Sequence, residues 1–314
     1  MDEFLRDFQS ARNVLLVGAG GGFDLYAGLP LFFALRRAGK TVHLANLSFA
    51  DLSRASAIAE APAVHRVVAE AHGSEGYFPE LPLAYWLKKY AVEQPVYALD
   101  RTGVRGLTQA YDWLAREFAI DALILVDGGT DGLMRGDEAS LGTPEEDFAS
   151  LAAAQSVSGV DKKRLISIGF GVDSFHGVSH ALVLENISAL IRDGGFLGAW
   201  SLRPDDEDFL RYRDAYAYSQ SGSAAQASIV NASILSAVEG RFGEHHATRR
   251  TEGSKLFINP LMGLYWSFDL DHVARRNLCL EAIRGTTTSR EISAALERFR
   301  ESLALTRPRQ ILPI

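Results

Sequence analysis

Carboxylates set beside glycines mark the places where this chain can do chemistry. Three stretches carry them: Gly18-Ala19-Gly20-Gly21-Gly22-Phe23-Asp24, Asp127-Gly128-Gly129-Thr130-Asp131 and Gly169-Phe170-Gly171-Val172-Asp173-Ser174-Phe175-His176. Glycine lets the backbone take positive φ and approach a ligand closely. Aspartate oxygens suit Mg²⁺, a hard cation that takes oxygen ligands and substrate phosphates. That chemistry would make Asp24, Asp127 and Asp131 the metal ligands. Alternatively, Asp127 or Asp131 would bind ribose hydroxyls while Asp173 or His176 moved a proton. Asp127, Asp173 and His176 are therefore the catalytic candidates. Gly18, Gly20, Gly21, Gly22, Asp24, Gly128, Gly129 and Asp131 are the candidates for holding a phosphorylated ligand or cofactor. Aspartates next to glycines also form turns and helix caps, so each residue alone says less than the set.

Each stretch follows an apolar run: Val14–Val17, Ala122–Val126 and Leu165–Ile168. Such runs read as buried parallel strands. In an open parallel sheet, the turns that follow strands meet at the carboxyl edge, where these folds bind ligands. The three turns should therefore converge, with Asp137, Glu138, Glu145 and Glu146 around the same cleft. Behind the first turn, Pro30 and Leu31–Leu35 open a helix, whose free N–H groups would face an anion.

The first turn begins like a dinucleotide fingerprint, with Gly18 and Gly20 in G-x-G spacing. The third glycine would fall at position 23, which is Phe23. The second strand, Thr41–Leu47, would end in an acid for the ribose hydroxyls. It ends in Asn46-Leu47-Ser48, and the nearest acid is Asp51. No Gly-Lys-Ser/Thr follows the turn, so the Walker pattern is absent. Hydride transfer from a nicotinamide is thus disfavoured.

His176 and His180 are four residues apart, and a helix expected from about Gly177 to Arg192 would put both on one face. Asp173 would join them as a zinc trio, but no fourth ligand is evident. At a helix start an imidazole tends to the neutral form, which suits His176 to a general base. His245, His246, Arg249, Arg250 and Lys255 form a basic patch that could clamp a phosphate or carboxylate.

Along the chain, residues 3–12 read as a lead-in helix. Residues 51–60 and 64–71 also read as helices, separated by Pro62, and a loop follows to Pro82. Leu83–Val92 places Tyr85, Trp86 and Tyr90 on a short helix, as core. Val96–Leu99 is a strand and Gly106–Phe118 an amphipathic helix. Thr143 reads as an N-cap with Glu146 in capping-box position. Phe196–Leu202 is a further strand. Beyond Pro204 come helices at Asp205–Ser219, Ala224–Glu239, Asp269–Ile283 and Ser289–Leu303. Short antiparallel strands are expected at Lys255–Asn259 and Gly263–Phe268. The fold class is α/β: a Rossmann-like open, mostly parallel sheet with helices on both faces and a mixed C-terminal extension. Residues 1–203 form the core, and residues 204–314 pack on it as part of one unit.

The chain has 314 residues, 47% hydrophobic and 23% charged, which is ordinary for a globular protein with a sizeable core. A formal charge of −7 argues against non-specific nucleic-acid binding. No apolar run is long enough to span a bilayer, and Met1-Asp2-Glu3-Phe4 lacks the start of a signal peptide. One cysteine, Cys279, fits a reducing cytoplasm and reads as a small core residue. A homo-oligomer is compatible with this composition.

The stretches GAGGGFDLYAGLPLFFAL, VDGGTDGLMRGDE and GFGVDSFHGVSH resemble a numbered family of bacterial and archaeal proteins called a domain of unknown function. The resemblance runs through most of the chain and supports the fold and the site without assigning a reaction. A second resemblance is to the sirtuin and deoxyhypusine-synthase type of NAD-binding fold. It rests on Gly18-Ala19-Gly20 followed by Gly28-Leu29-Pro30, and departs from that pattern in its longer interval, its extra Gly-Gly pair and Asp24. It implies an NAD-like nucleotide as cofactor in place of Mg²⁺.

The expected function is an enzyme acting on a nucleotide or another phosphorylated or ribosyl-containing small molecule, by hydrolysis or group transfer. The alternative is a non-catalytic nucleotide sensor or partner-binding module.

Overall fold

The most apolar runs lie at the middle of one sheet. The computed structural model describes residues 1–70, 76–90, 92, 94–221, 227–253 and 256–312. Its strands are β1 (Asn13–Gly18), β2 (Thr41–Leu47), β3 (Ser56–Ile58), β4 (Ala61–Val67), β5 (Val96–Leu99) and β6 (Ala122–Asp127). They continue with β7 (Lys162–Ser167), β8 (Phe196–Ser201), β9 (Gly243–Glu244), β10 (Phe257–Ile258) and β11 (Leu264–Asp269). Nine of them form a sheet in the order β3-β4-β5-β2-β1-β6-β7-β11-β8. Strands β5, β2, β1, β6 and β7 are parallel. The β3–β4 hairpin adds antiparallel to β5, and β11 pairs antiparallel with both β7 and β8.

Both faces of the central strands are buried, which is why they read as continuous apolar runs. Val14 and Leu16 of β1 pack on one face with helices α1 (Asp2–Asp7), α2 (Asp24–Ala27), α3 (Leu29–Arg37), α4 (Glu80–Lys89), α8 (Glu207–Gln220) and α9 (Ile229–Val238). Leu15 and Val17 pack on the other with α5 (Val104–Glu117), α6 (Pro144–Ser156), α7 (His180–Arg192), α10 (Leu270–Arg276), α11 (Leu280–Ile283) and α12 (Ser289–Glu301). This is the α/β, Rossmann-like, mostly parallel sheet with helices on both faces. No described helix is long and apolar enough to cross a membrane.

Several expectations are corrected. Residues 51–60 and 64–67 are not helical: a 3-10 turn at Leu52–Arg54 leads into β3 and β4. Alanine is the best helix former, but Ala55, Ala57, Ala59, Ala61 and Ala63 recur at every second residue, the strand period. Pro62 sits where the β3–β4 register shifts, a place a proline tolerates. Ala71 lies outside the described residues. The strand expected at Lys255–Asn259 is Phe257–Ile258, and it pairs with β9 rather than with β11. Strand β11 instead inserts between β7 and β8, so the C-terminal third shares the main sheet. Within the helix expected at Ala224–Glu239, residues 224–226 lie outside the described ones; α9 begins after Ser228, whose Oγ accepts from Asn231 N–H. The helix expected at Asp269–Ile283 is broken at Asn277, whose Oδ1 accepts from Cys279 N–H at 2.8 Å. Thr288, not Ser289, caps α12. Of the three aromatics expected as core there, Trp86 of α4 is core, whereas Tyr85 of α4 and Tyr90, just past its end, are exposed. Cys279 is a core residue, its thiol pushed up to about 12 by burial.

Candidate functional site

Strand β1 ends at Gly18 beside Val126 of β6, and Asp127 pairs with Ser167 of β7. The turns after these strands therefore open on one edge. Asp127 projects from the end of β6, where its Oδ2 accepts from Ser167 Oγ at 3.1 Å and from Gly132 N–H at 3.2 Å. Asp173 Oδ2 accepts from Thr130 N–H at 2.6 Å, which ties the third turn to the second. Asp131 Oδ2 accepts from the N–H and Oγ1 of Thr143, at 2.7 and 2.8 Å. Gly128 and Gly129 are required by closeness: a Cβ on Gly128 would lie 2.6 Å from Asp24 Oδ1, and one on Gly129 would lie 2.7 Å from Asp173 Oδ1.

The first turn differs from expectation in one respect. The helix directly behind it is the four-residue α2, and Asp24 is its first residue. Asp24 Oδ2 accepts from Gly20 N–H at 2.7 Å, so this amide faces the protein's own carboxylate. The N–H groups of Gly21 and Gly22 have no acceptor among the described residues. Pro30 falls in the first turn of the next helix, α3.

Sequence reasoning missed Asp147. Thr143 precedes α6 but makes no side-chain cap, and the capping box with Glu146 does not form. Instead Thr143 Oγ1 reaches Asp147 Oδ2 at 3.1 Å as well as Asp131. Ser150, one turn further on, donates to Ala19 O at 2.6 Å. Thr143, Asp147 and Ser150 thus form the face of α6 that lies on the glycine turn. Their i, i+4, i+7 spacing was the available signal.

One carboxylate oxygen each from Asp24, Asp127 and Asp147 lie within 4.8 Å of one another. Asp131 and Asp173 are near enough to act on them electrostatically. Asp127, Asp131, Asp147 and Asp173 are buried, while Asp24 and Gly20 are partly exposed. Burial, and then the charge of Asp131, raises the pKa of Asp24 to about 7. Burial and the neighbouring aspartates push Asp127, Asp147 and Asp173 well above the usual carboxylate range. Among the described residues, no Lys, Arg or His forms an ion pair with any of the five. Asp147 Oδ1 is buried without a hydrogen-bond partner among the described residues. Opposite ligands of Mg²⁺ are about 4.2 Å apart, and those of Ca²⁺ about 5 Å. The spacing and all-oxygen donor set of Asp24, Asp127 and Asp147 therefore fit a hard divalent cation.

The other candidates have other partners. Asp137 and Glu138 are held by Arg307. Glu146 pairs with Arg101 at 2.7 Å and is near enough to act electrostatically on Asp24 and Asp147. His176 is exposed at the end of a 3-10 turn, Val172–His176, which Gly177 closes at φ +85°. Helix α7 starts only at His180, so the two histidines do not share a helix face. His180 Nε2 lies 3.1 Å from Gly171 O. In the basic patch, Arg250 Nη1 donates to Ala227 O at 2.9 Å and His246 Nδ1 lies 3.0 Å from Thr251 Oγ1. Lys255 lies outside the described residues. A cavity of about 480 Å³, lined in part by Asp100, Trp113 and Arg116, contains none of the clustered aspartates. Of the residues around the cluster, Gly20 and Asp24 are partly exposed and Thr143 is exposed.

No curated protein and no solved structure matches the chain. A family model described as a protein of unknown function, DUF1152, matches residues 15–306, and the chain belongs to that family.

Proposed function

We propose that the chain is an enzyme that holds a hard divalent cation on Asp24, Asp127 and Asp147. With it, the enzyme hydrolyses, or transfers a group from, a nucleotide or another phosphorylated, ribosyl-containing small molecule. The observation that carries this reading is the closeness of the three carboxylates, with Asp147 Oδ1 buried and unpartnered among the described residues. Buried like charges must either take up protons or meet a cation. A divalent cation bound there would polarise a phosphoryl oxygen and lower the pKa of a bound water.

The surrounding residues supply the rest. Thr143 holds Asp131 and Asp147 in register, and Ser167 with Gly132 N–H orients Asp127. Asp173, fixed by Thr130, is the candidate proton acceptor, as a carboxylate held in one orientation at the same edge. The N–H groups of Gly21 and Gly22, which have no acceptor among the described residues, offer donors to a phosphate oxygen.

The test begins with Mn²⁺ titration of wild type and Asp147→Asn. Wild type should bind one ion at the cluster, and the variant at least about tenfold more weakly. Hydrolysis of a panel of nucleotides and sugar phosphates, with and without Mg²⁺, then reads the reaction. Absence of Mn²⁺ binding in wild type would sink the proposal.

A further inference from the structure

We propose that Phe49 and Arg101 form a stacking platform for a nucleobase, so that the substrate is a nucleoside phosphate rather than a plain sugar phosphate. This rests on the cation-assisted reading above and narrows its substrate class.

Phe49 lies two residues beyond β2 and remains 39% exposed, although its ring sits against the glycine turn. A Cβ on Gly21 would come 2.9 Å from Phe49 Cε2. A Cβ on the preceding Gly20 would come 2.8 Å from Asp147 Oδ1 and from Asp24 Oδ2. The aromatic ring and the carboxylates thus flank adjacent residues, whose α-carbons are about 3.8 Å apart. A ligand lying over the turn would meet both.

A second wall joins the same two places. The Arg101 guanidinium carbon lies 4.9 Å from the centre of the Phe49 ring. Arg101 Nη2 donates to Glu146 Oε1 at 2.7 Å, and Glu146 is near enough to act electrostatically on Asp24 and Asp147. The guanidinium covers one face of the ring, and both groups remain partly exposed. Aromatic rings and guanidinium planes are the surfaces on which nucleobases stack, through the π-face every base carries. A sugar phosphate has no planar group to cover Phe49 and would leave it in water. The phosphate end of a nucleotide would meet the other end of this wall.

Paired binding measurements test the platform, using adenosine 5′-monophosphate and ribose 5-phosphate in the presence of Mn²⁺. Wild type should bind the nucleotide at least about tenfold more tightly, the order that base–aromatic stacking provides. Phe49→Ala should bring the two affinities together by weakening only the nucleotide, and Phe49→Trp should preserve the difference. Phe49 is exposed, so both variants should fold, as checked by thermal unfolding. Equal affinities in wild type, or a preference that survives Phe49→Ala, overturn the platform while Mn²⁺ binding leaves the cation site standing. Loss of Mn²⁺ binding in wild type overturns the reading beneath it as well. A sugar phosphate that binds more tightly than the nucleotide would reverse the substrate class.

Discussion

The N–H of Gly20 donates to Oδ2 of Asp24 at 2.7 Å, so the glycine turn hydrogen-bonds its own carboxylate. That bond and the Gly128 amide do not compensate for burial: desolvation and the charge of Asp131 still lift Asp24 to about 7. Asp127 and Asp147 stand close by with their pKa values raised for the same reason. The arrangement is costly when empty and favourable around a positive charge, and the first prediction follows from that contrast.

Asp24→Asn and Asp147→Asn should each leave the metal-free protein as stable as wild type, or more so. Each removes one of several clustered carboxylates and keeps the side chain's shape. Mn²⁺ affinity should fall at least about tenfold in each. Thermal unfolding in chelator and Mn²⁺ titration report the two quantities separately. Variants that lose stability yet keep wild-type affinity would show that these carboxylates are structural.

Glu80 gives a pH-dependent prediction. It is 1% exposed, and Asn46 Nδ2 joins its Oε1, at 2.7 Å, to Gly22 O, at 2.8 Å. Burial raises its pKa from 4.5 to about 7. Between those values the folded protein holds a proton that the unfolded chain has released. The stability contributed by Glu80 is therefore complete below pH 4.5 and is lost as pH rises through about 7. The loss is about 1.4 kcal/mol per pH unit crossed. Measured by urea denaturation, wild type minus Glu80→Gln should fall by on the order of 2 kcal/mol from pH 5 to pH 8. A difference that stays level with pH would exclude this titration.

Arg307 fastens the loop that carries Asp131. Its Nη2 donates to Glu138 Oε1 at 2.7 Å and to Asp137 Oδ1 at 2.8 Å, and its carbonyl accepts from Ala139 N–H at 2.8 Å. Glu138 is fully buried and also accepts from Asn186 Nδ2 and from the N–H groups of Arg135 and Gly136. Arg307→Ala would leave that carboxylate without its cation and should cost about 3 kcal/mol of stability. Glu138→Gln added to Arg307→Ala should recover part of the loss, because no unpaired charge then remains. Denaturant midpoints of both variants decide this, and equal midpoints for wild type and Arg307→Ala would rule it out.

The sheet was legible in the sequence because its central strands are buried on both faces, which leaves runs such as Ala122–Val126 unbroken. The placement of the glycine turns on one edge followed from those runs and their parallel pairing, whereas their order did not. What failed to show had local causes. Alanines at every second position hid β3 and β4 behind a helical composition. Asp147 was masked by the apparent capping box at Thr143 and Glu146, because a hydroxyl can serve either a cap or a distant carboxylate. Gly177 ends one turn and separates His176 from α7, and a four-residue spacing carries no mark of such a break. The contribution of β11 to the main sheet depends on long-range pairing with β7 and β8, which its own six residues do not encode.

The close approach of the second turn to Asp24 gives the last prediction. A Cβ on Gly128 would lie 2.6 Å from Asp24 Oδ1 and 3.3 Å from its Cγ. No real side chain tolerates the shorter distance, so Gly128→Ala must displace the carboxylate or the turn that holds it. Val230 Cγ1, also 3.3 Å away, limits escape on the other side. Gly128→Ala should therefore weaken Mn²⁺ binding by about tenfold or more, as misplacing a ligand does. In an Asp24→Ala background the clash is gone and the ligand is already lost, so adding Gly128→Ala should change Mn²⁺ affinity by no more than about twofold. The two substitutions should accordingly be strongly non-additive, as expected for residues in contact. A double-mutant cycle in Mn²⁺ affinity, with thermal unfolding of all four proteins alongside, measures this coupling. If the losses simply add, Gly128 does not act through Asp24, and the second turn would have to influence the cation by another route.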